Sequence, residues 1–381
     1  MTNSFINSKV DQKNLTFGID KEKGIAKKCR HIHVGSANQF CPNLKADYAS
    51  MPKVSEEKYL GDIVSCDGTI SKTIKLRESK GTGAISQIMN ILKLVSLGQH
   101  YVKIAILLRN THFINKVVVN SEVWYPIKED DFKNLQKLDE SLIRQILHVS
   151  ASTPIELLYL ELGLIPLSDL IKCRRILYLH NILTRNEDQL LFRFFKAQNR
   201  NPSKGDWSEI VKQDIADFSL NLTFDEIKRL KYAKFKTIVK KACKIYTLNR
   251  LLLIKSSHKK GENLQYSKLE TNQYLLSNKI TVSQALLLFK IRSRMLDVKM
   301  NFKEKYQNDN MLLQCDICTD GKLDDQSHVP VCSGLVKNQN IQFEYSNLFS
   351  KNNTTLKKAI TEYEAAWNEM CALRSQKRKQ M

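Results

Sequence analysis

Four residues near the end of the chain have the types and spacing of a metal site: Cys315, Cys318, His328 and Cys332, in the pattern C-x2-C-x9-H-x3-C. Two cysteines two residues apart can turn both sulfurs toward one point. A histidine and a cysteine about one helical turn apart can do the same from the other side. Three thiolates and one imidazole complete a tetrahedral shell for Zn2+ and leave no open position. A closed shell is a structural site, so the expected cofactor is structural zinc and no catalytic residue is assigned. The middle spacing is longer than that of the retroviral knuckle, so the pattern alone names neither fold nor ligand. A second cluster, Glu129-Asp130-Asp131, would interest anyone seeking catalytic carboxylates. Consecutive helical residues point in different directions, so these cannot easily share a metal, and acids suit the positive end of a helix.

The elements that would position the cysteine cluster are read from periodicity and caps. Only 13 glycines and 7 prolines punctuate 381 residues, which favours long helices over many short strands. Strand signals are confined to the start: Arg30–Val34 alternates, Lys58–Ser65 is a second candidate ending at Asp67-Gly68, and residues 41–52 read as loop. Helical spacing takes over from about residue 69, with Gly81 and Gly83 as a flexible joint and a helix over 128–147. Capping signals at Thr153-Pro154-Ile155-Glu156, Thr223–Glu226 and Thr281–Gln284 place helix starts near 154, 224 and 282. Further helices are expected over 167–184, 187–198, 206–217, 284–306 and 354–373, with residues 374–379 a disordered basic tail.

Charge points to the partner. Sixty Lys and Arg against 39 Asp and Glu give a formal net charge of +21, which suits a polyanion, most simply nucleic acid. Residues 225–260 hold twelve Lys or Arg and two acids. There Ile227, Leu230, Phe235, Ile238, Val239, Ala242 and Ile245 form the expected buried stripe, and Lys228, Lys231, Lys236, Lys240 and Lys244 stay off it as candidate phosphate contacts. Arg292, Arg294 and Lys299 decorate the helix that runs into the cysteine cluster. No run of 18 apolar residues exists and the start of the chain is polar, so neither a membrane span nor a secretory signal is expected. Nine cysteines, an odd number and mostly scattered, fit a reducing compartment, so the expected location is intracellular, nuclear or cytoplasmic. Cys29, Cys41, Cys66, Cys173, Cys243 and Cys371 read as ordinary small apolar residues.

An ordered series of segments resembles a known family. Glu57–Gly68, with Arg77, Lys80-Gly81-Thr82-Gly83 and Ile85–Ile88, looks like the end of the palm and the start of the thumb in reverse transcriptases of non-LTR, LINE-like retrotransposons. Phe17–Lys21 and Lys28–Gly35 are similar to the family segment after the catalytic aspartates. Asn120–Tyr125 and Leu158–Gly163 match the helical region behind the thumb, and the final cluster corresponds to the family's CCHC knuckle. The series covers roughly residues 15–335.

The resemblance implies roles. Lys58, Tyr59, Leu60, Gly61 and Asp62 would belong to a primer-grip hairpin holding a growing 3′ end, and Arg77 and Lys80 would face nucleic acid from the thumb. Lys21 or Lys28 would stand where a family lysine assists pyrophosphate departure. Polymerisation needs metal ions held by palm aspartates in an aromatic-x-Asp-Asp turn and one earlier Asp, and this sequence has no such turn. The 49 residues after Cys332 are too few for the nuclease domain that some relatives carry there.

The expected fold is therefore mainly α. Residues 1–68 are a palm remnant with a hairpin, 69–150 a thumb-like helical domain, and 151–306 a basic helical domain. Residues 307–335 are the zinc knuckle and 336–381 a helix with a basic tail. The expected function is that of a truncated, non-catalytic reverse-transcriptase segment binding RNA and DNA, as template–primer and target strand. The alternatives are a thumb and knuckle subunit working with a separate fingers–palm chain, and a zinc-stapled helical scaffold for other proteins.

Overall fold

The computed structural model describes residues 19–20, 25–26, 32, 45–46, 49–95, 100–125, 127–202, 206–257, 260–261, 264–306, 309, 311–335, 343–350 and 352–380. Among these the chain is mainly helical, with thirteen α-helices and two small sheets. Four two-residue strands, β1 (Ile19–Asp20), β2 (Ile25–Ala26), β3 (Lys45–Ala46) and β4 (Ala49–Ser50), form one sheet in the order β1-β2-β4-β3. Two of them thus occupy the stretch 41–52 expected as loop. The strand expected over 30–34 lies outside the described residues except for Ile32, which is in no strand.

Lys58–Ser65, expected as one strand, is the tip of a hairpin. β5 (Glu56–Tyr59) pairs antiparallel with β6 (Asp62–Ser65). The reversal falls on Leu60 and Gly61, with φ of +48° and +91°. A two-residue turn matching the twist of a hairpin needs positive φ at both positions. Local alternation reads the same on either side of a turn, which is why the sequence pattern ran through it.

The helices are α1 (Ser71–Val95), α2 (Tyr101–Leu108), α3 (Ile114–Val117), α4 (Glu129–Leu147), α5 (Ile155–Leu162) and α6 (Leu167–Leu183). Then come α7 (Leu190–Arg200), α8 (Trp207–Asp217), α9 (Phe224–Arg229), α10 (Tyr232–Ser256), α11 (Gln273–Leu276), α12 (Val282–Arg292) and α13 (Asn353–Gln380). α1 runs unbroken through the expected joint. A Cβ on Gly81 would stand 3.0 Å from Val117 Cγ2 and 3.2 Å from Leu138 Cδ1, so this glycine is a close packing point between helices. Capping boxes form at Thr223 with Glu226 and at Thr281 with Gln284. Thr153 does not cap: the residue flanking α5 is Pro154, and the Thr153 hydroxyl is buried without a partner.

The helix expected over 284–306 stops at Arg292. Arg294 takes a left-handed φ of +56°, and a separate 3₁₀ turn covers Lys299–Tyr306. The tail expected to be disordered is helical, since α13 continues to Gln380. The triplet opening α4 has structural partners: Glu129 is 2.9 Å from Lys133 one turn on, and Asp131 accepts at 2.6 Å from the Ser71 hydroxyl at the start of α1.

One core runs from Ile74 in α1 to Met370 in α13 and takes in Cys315, Val329, Cys332 and Leu335. It crosses the boundaries expected at 150, 306 and 335. A second core joins Ile176 and Leu179 of α6, Phe195 of α7, Val211 of α8, and Phe235 and Val239 of α10. Ile245, expected in the α10 stripe, is 50 % exposed. Cys173 and Cys243 are buried in the second core as expected, whereas Cys371 is exposed; Cys29 and Cys41 lie outside the described residues.

Candidate metal centre and basic surfaces

The four expected ligands converge: one donor atom from each of Cys315, Cys318, His328 and Cys332 lies within 4.8 Å of every other. Cys315 Sγ is 3.9 Å from Cys332 Sγ, and Cys318 Sγ is 3.3 Å from His328 Nε2. Ligand bonds of about 2.3 Å to sulfur and 2.0–2.1 Å to nitrogen at tetrahedral angles imply edges of about 3.8 Å and 3.6 Å. These two edges fall within a few tenths of an ångström of those values and the remaining ones stay within 4.8 Å, so the donor set suits a Zn2+-sized ion. His328 Nδ1 is buried without a partner, which leaves Nε2 as the nitrogen turned to the sulfurs. The Cys315–Cys332 hydrogen bond lowers the titration of Cys315 and raises that of Cys332. Shared protons of this kind are what a metal displaces when it binds thiolates.

Local backbone builds the shell. Gln314 bridges Leu323 antiparallel, the Cys315 N–H donates to Lys322 O at 2.9 Å, and the Asp324 N–H donates to Leu313 O at 2.8 Å. This narrow hairpin carries the first two cysteines. The Ile317 N–H points at Cys315 Sγ from 3.5 Å. Asp325 Oδ1 accepts from the Ser327 and His328 main-chain N–H groups at 2.8 and 2.7 Å and sets the approach to His328. Gly334 then lets the chain pass over the first loop, because a Cβ there would sit 2.5 Å from Ile317 O.

The rest of the protein grips this unit. Asp324, fully buried, accepts from the Lys299 N–H at 2.9 Å and from Arg374 Nη2 at 2.5 Å. Gln326 donates to Ile291 O at 2.8 Å, and its own carbonyl accepts from the Tyr363 hydroxyl at 2.8 Å. Lys377 donates to Asp316 O. Asp324, Gln326, Gly334 and Arg374 were not singled out from sequence. Arg374 had one available signal: it continues the helical spacing of the buried Tyr363, Ala366 and Met370 on α13.

The candidate nucleic-acid residues separate into two groups. Arg77, expected on a binding face, is 2 % exposed and pairs with Asp62, which also accepts from Asn120 Nδ2 at 2.8 Å. Both residues therefore anchor the hairpin, to α1 through Arg77 and to the turn after α3 through Asn120, and Arg77 is withdrawn from the surface. Arg292 lies between the Tyr274 and Phe349 rings, 5.1 and 5.6 Å from their centroids. Lys299 Nζ donates to Gln314 O at 2.9 Å and to Asp316 at 2.5 Å, so it ties down the knuckle. Lys228 is 3.8 Å from Glu187 and lies over the Phe192 ring.

The second group, Lys80 apart, stays exposed. Lys231, Lys236, Lys240 and Lys244 all face solvent at or along α10, as do Lys58, Tyr59 and Leu60 at the hairpin tip beside Gly61. Arg294 is exposed in the turn after α12. Lys80 is half-buried on α1, where burial, then the charges of Arg77 and Lys58, push its ammonium below its ordinary value. Lys21 and Lys28 lie outside the described residues.

Comparison with known proteins adds no relative: no family model matches the chain, and no curated protein or solved structure matches it. Among the described residues, no helix is long and apolar enough to cross a membrane.

Proposed function

We propose that this protein binds nucleic acid through a lysine-rich helical surface, with a zinc-stapled knuckle holding the end of the fold in place. The observation that carries the reading is the row Lys231, Lys236, Lys240 and Lys244. These cations are exposed along a helix anchored by Phe235, Val239 and Cys243, and no acidic side chain pairs with them among the described residues. The ordered resemblance to the thumb and knuckle region of non-LTR reverse transcriptases supports template–primer or target DNA as the ligand. The reading assigns the chain no polymerase chemistry of its own; a fingers–palm chain would supply that.

The test is binding of RNA and of duplex DNA by the zinc-loaded protein across a salt series. Each phosphate contact contributes a slope of about −0.9 on duplex DNA and about −0.7 on single strands in log K against log salt. Affinity that does not change with salt would refute the proposal. Primer extension by the chain alone would refute the absence of catalysis. One feature favours the scaffold reading: Ile245 and Leu253, 50 % and 75 % exposed, line a groove of about 730 Å3 along the far half of α10. A salt-indifferent protein partner would fit there.

A further inference from the structure

α6 and the first half of α10 enclose a groove of about 970 Å3, closed at one side by Asn115 and Glu122. One wall is a helical row, and the other is the end of α6 and the bend that follows it. Tyr232, Lys236 and Lys240 recur every four residues and so project from one face of α10. The facing wall is Asn181, in the last turn of α6, with Arg185 in the bend just after that helix. Arg185 is held by neutral amides: it donates to Asn181 Oδ1 at 3.0 Å and to Gln189 Oε1 at 3.3 Å. Its position is thereby set, and no acidic side chain pairs with it among the described residues. Lys236 and Lys240 have no acidic partner among the described residues. The one carboxylate in the groove, Glu122, sits 3.5 Å from Arg174, so it is already matched.

The aromatic group decides the kind of polyanion. Tyr232 is 47 % exposed in the groove, its ring tilted against His180 at 5.5 Å, with the Lys236 ammonium over the ring at 5.8 Å from its centroid, a long contact that a base stacking there would displace. His180 is buried and its Nε2 lies 2.8 Å from Leu230 O, so the platform behind the tyrosine is rigid. Bases in a duplex are already stacked on each other. A single strand has free base faces, and a positive groove with an exposed ring matches it. Resting on the nucleic-acid reading above, we infer that this groove binds single-stranded nucleic acid, with Arg185, Lys236 and Lys240 on phosphates and Tyr232 under a base.

The experiment uses the zinc-loaded full chain with a labelled unstructured RNA, the matching DNA strand, and a duplex. The double variant K236A/K240A is expected to make the single-strand salt slope shallower by about 1.4. Tyr232→Ala is expected to weaken single-strand binding about 5- to 150-fold with an unchanged salt slope and unchanged duplex affinity. K357A/K358A, on the exposed side of α13, serves as the control and should change single-strand binding much less. All four positions in the two groove and control doubles are exposed, and thermal melts verify that each variant folds. If the wild type binds RNA in a salt-dependent way but K236A/K240A keeps its slope, the groove assignment falls and the general reading stands. If Tyr232→Ala weakens duplex and single strand equally, or polyglutamate competes as well as RNA, the single-strand assignment falls. No salt-dependent binding by the wild type overturns both.

Discussion

Replacing Gly334 by alanine tests whether the cysteine cluster is a working metal site. Gly334 lies two residues after Cys332, where the returning chain crosses the loop between Cys315 and Cys318. A Cβ there would be 2.5 Å from Ile317 O, 2.8 Å from its carbonyl carbon and 2.9 Å from its Cγ2, whereas ordinary contact begins at 3.4 Å. Most of the obstruction is backbone, which cannot rotate away. Relief therefore needs a displacement of about 0.9 Å at Ile317, against a tolerance of about 0.2 Å in metal–ligand distances. Ile317 sits between two ligands and its N–H faces Cys315 Sγ, so the shift passes directly to the sulfurs. Strain of about 1–3 kcal/mol is typical of such overpacking. Carried by the metal-bound state, it corresponds to a loss of about 5- to 150-fold in zinc affinity. Competition with a chromophoric chelator measures that affinity directly. Thermal melts with and without the chelator separate metal loss from general unfolding. Zinc affinity in Gly334→Ala equal to that of the wild type would refute the reasoning.

Three further outcomes are expected. Purified protein should carry about one zinc per chain, and Cys318→Ser should lose it, as read by elemental analysis; zinc retained by the variant would refute the ligand set. Arg374→Ala leaves the buried Asp324 carboxylate without its cation and should destabilise the fold by about 3 kcal/mol in urea denaturation, whereas a loss under 1 kcal/mol would place the pair among weak surface contacts. Burial, outweighing the Lys299 N–H and Arg374, raises the Asp324 carboxyl above its ordinary 3.8. The folded state then holds that proton more tightly than the unfolded chain, so this contribution to stability is fully present below 3.8 and lost as pH rises through the folded value. Asp324→Asn abolishes the titration, so the variant's stability relative to the wild type should climb as pH rises from 3.8; a falling difference would contradict the assignment.

Local features were legible from the chain alone. The candidate metal donors span 315–332, and their spacing constrains the loop so tightly that the donor set could be named before the fold was known. The capping boxes at Thr223 and Thr281 and the start of α8 at Trp207 are likewise decided within a few residues. Thr153 shows the limit, since a cap motif forms only if the following turn orients it. The hairpin tip at Leu60-Gly61 and the length of α1 failed for related reasons: alternation does not mark a two-residue reversal, and a glycine suited to a joint also suits a close helix crossing.

What the sequence by itself determined was helical class, the candidate donor set and excess positive charge, because each follows from residue types and short spacings. Which cations remain free was decided by tertiary structure. Arg77, Arg292, Lys299 and Arg374 belong to the same basic composition as Lys236 and Lys240, yet the first four are taken up by Asp62, by two aromatic rings, by Asp316 and by Asp324. Arg374 meets its carboxylate 50 residues away, a pairing that only the docking of α13 against the knuckle brings about. The same holds for the groove of Arg185, Lys236 and Lys240, whose walls come from α10 and from the end of α6 with the bend after it, two helices that share a core. Charge is a property of composition, but its availability to a phosphate depends on which acids the fold places within reach.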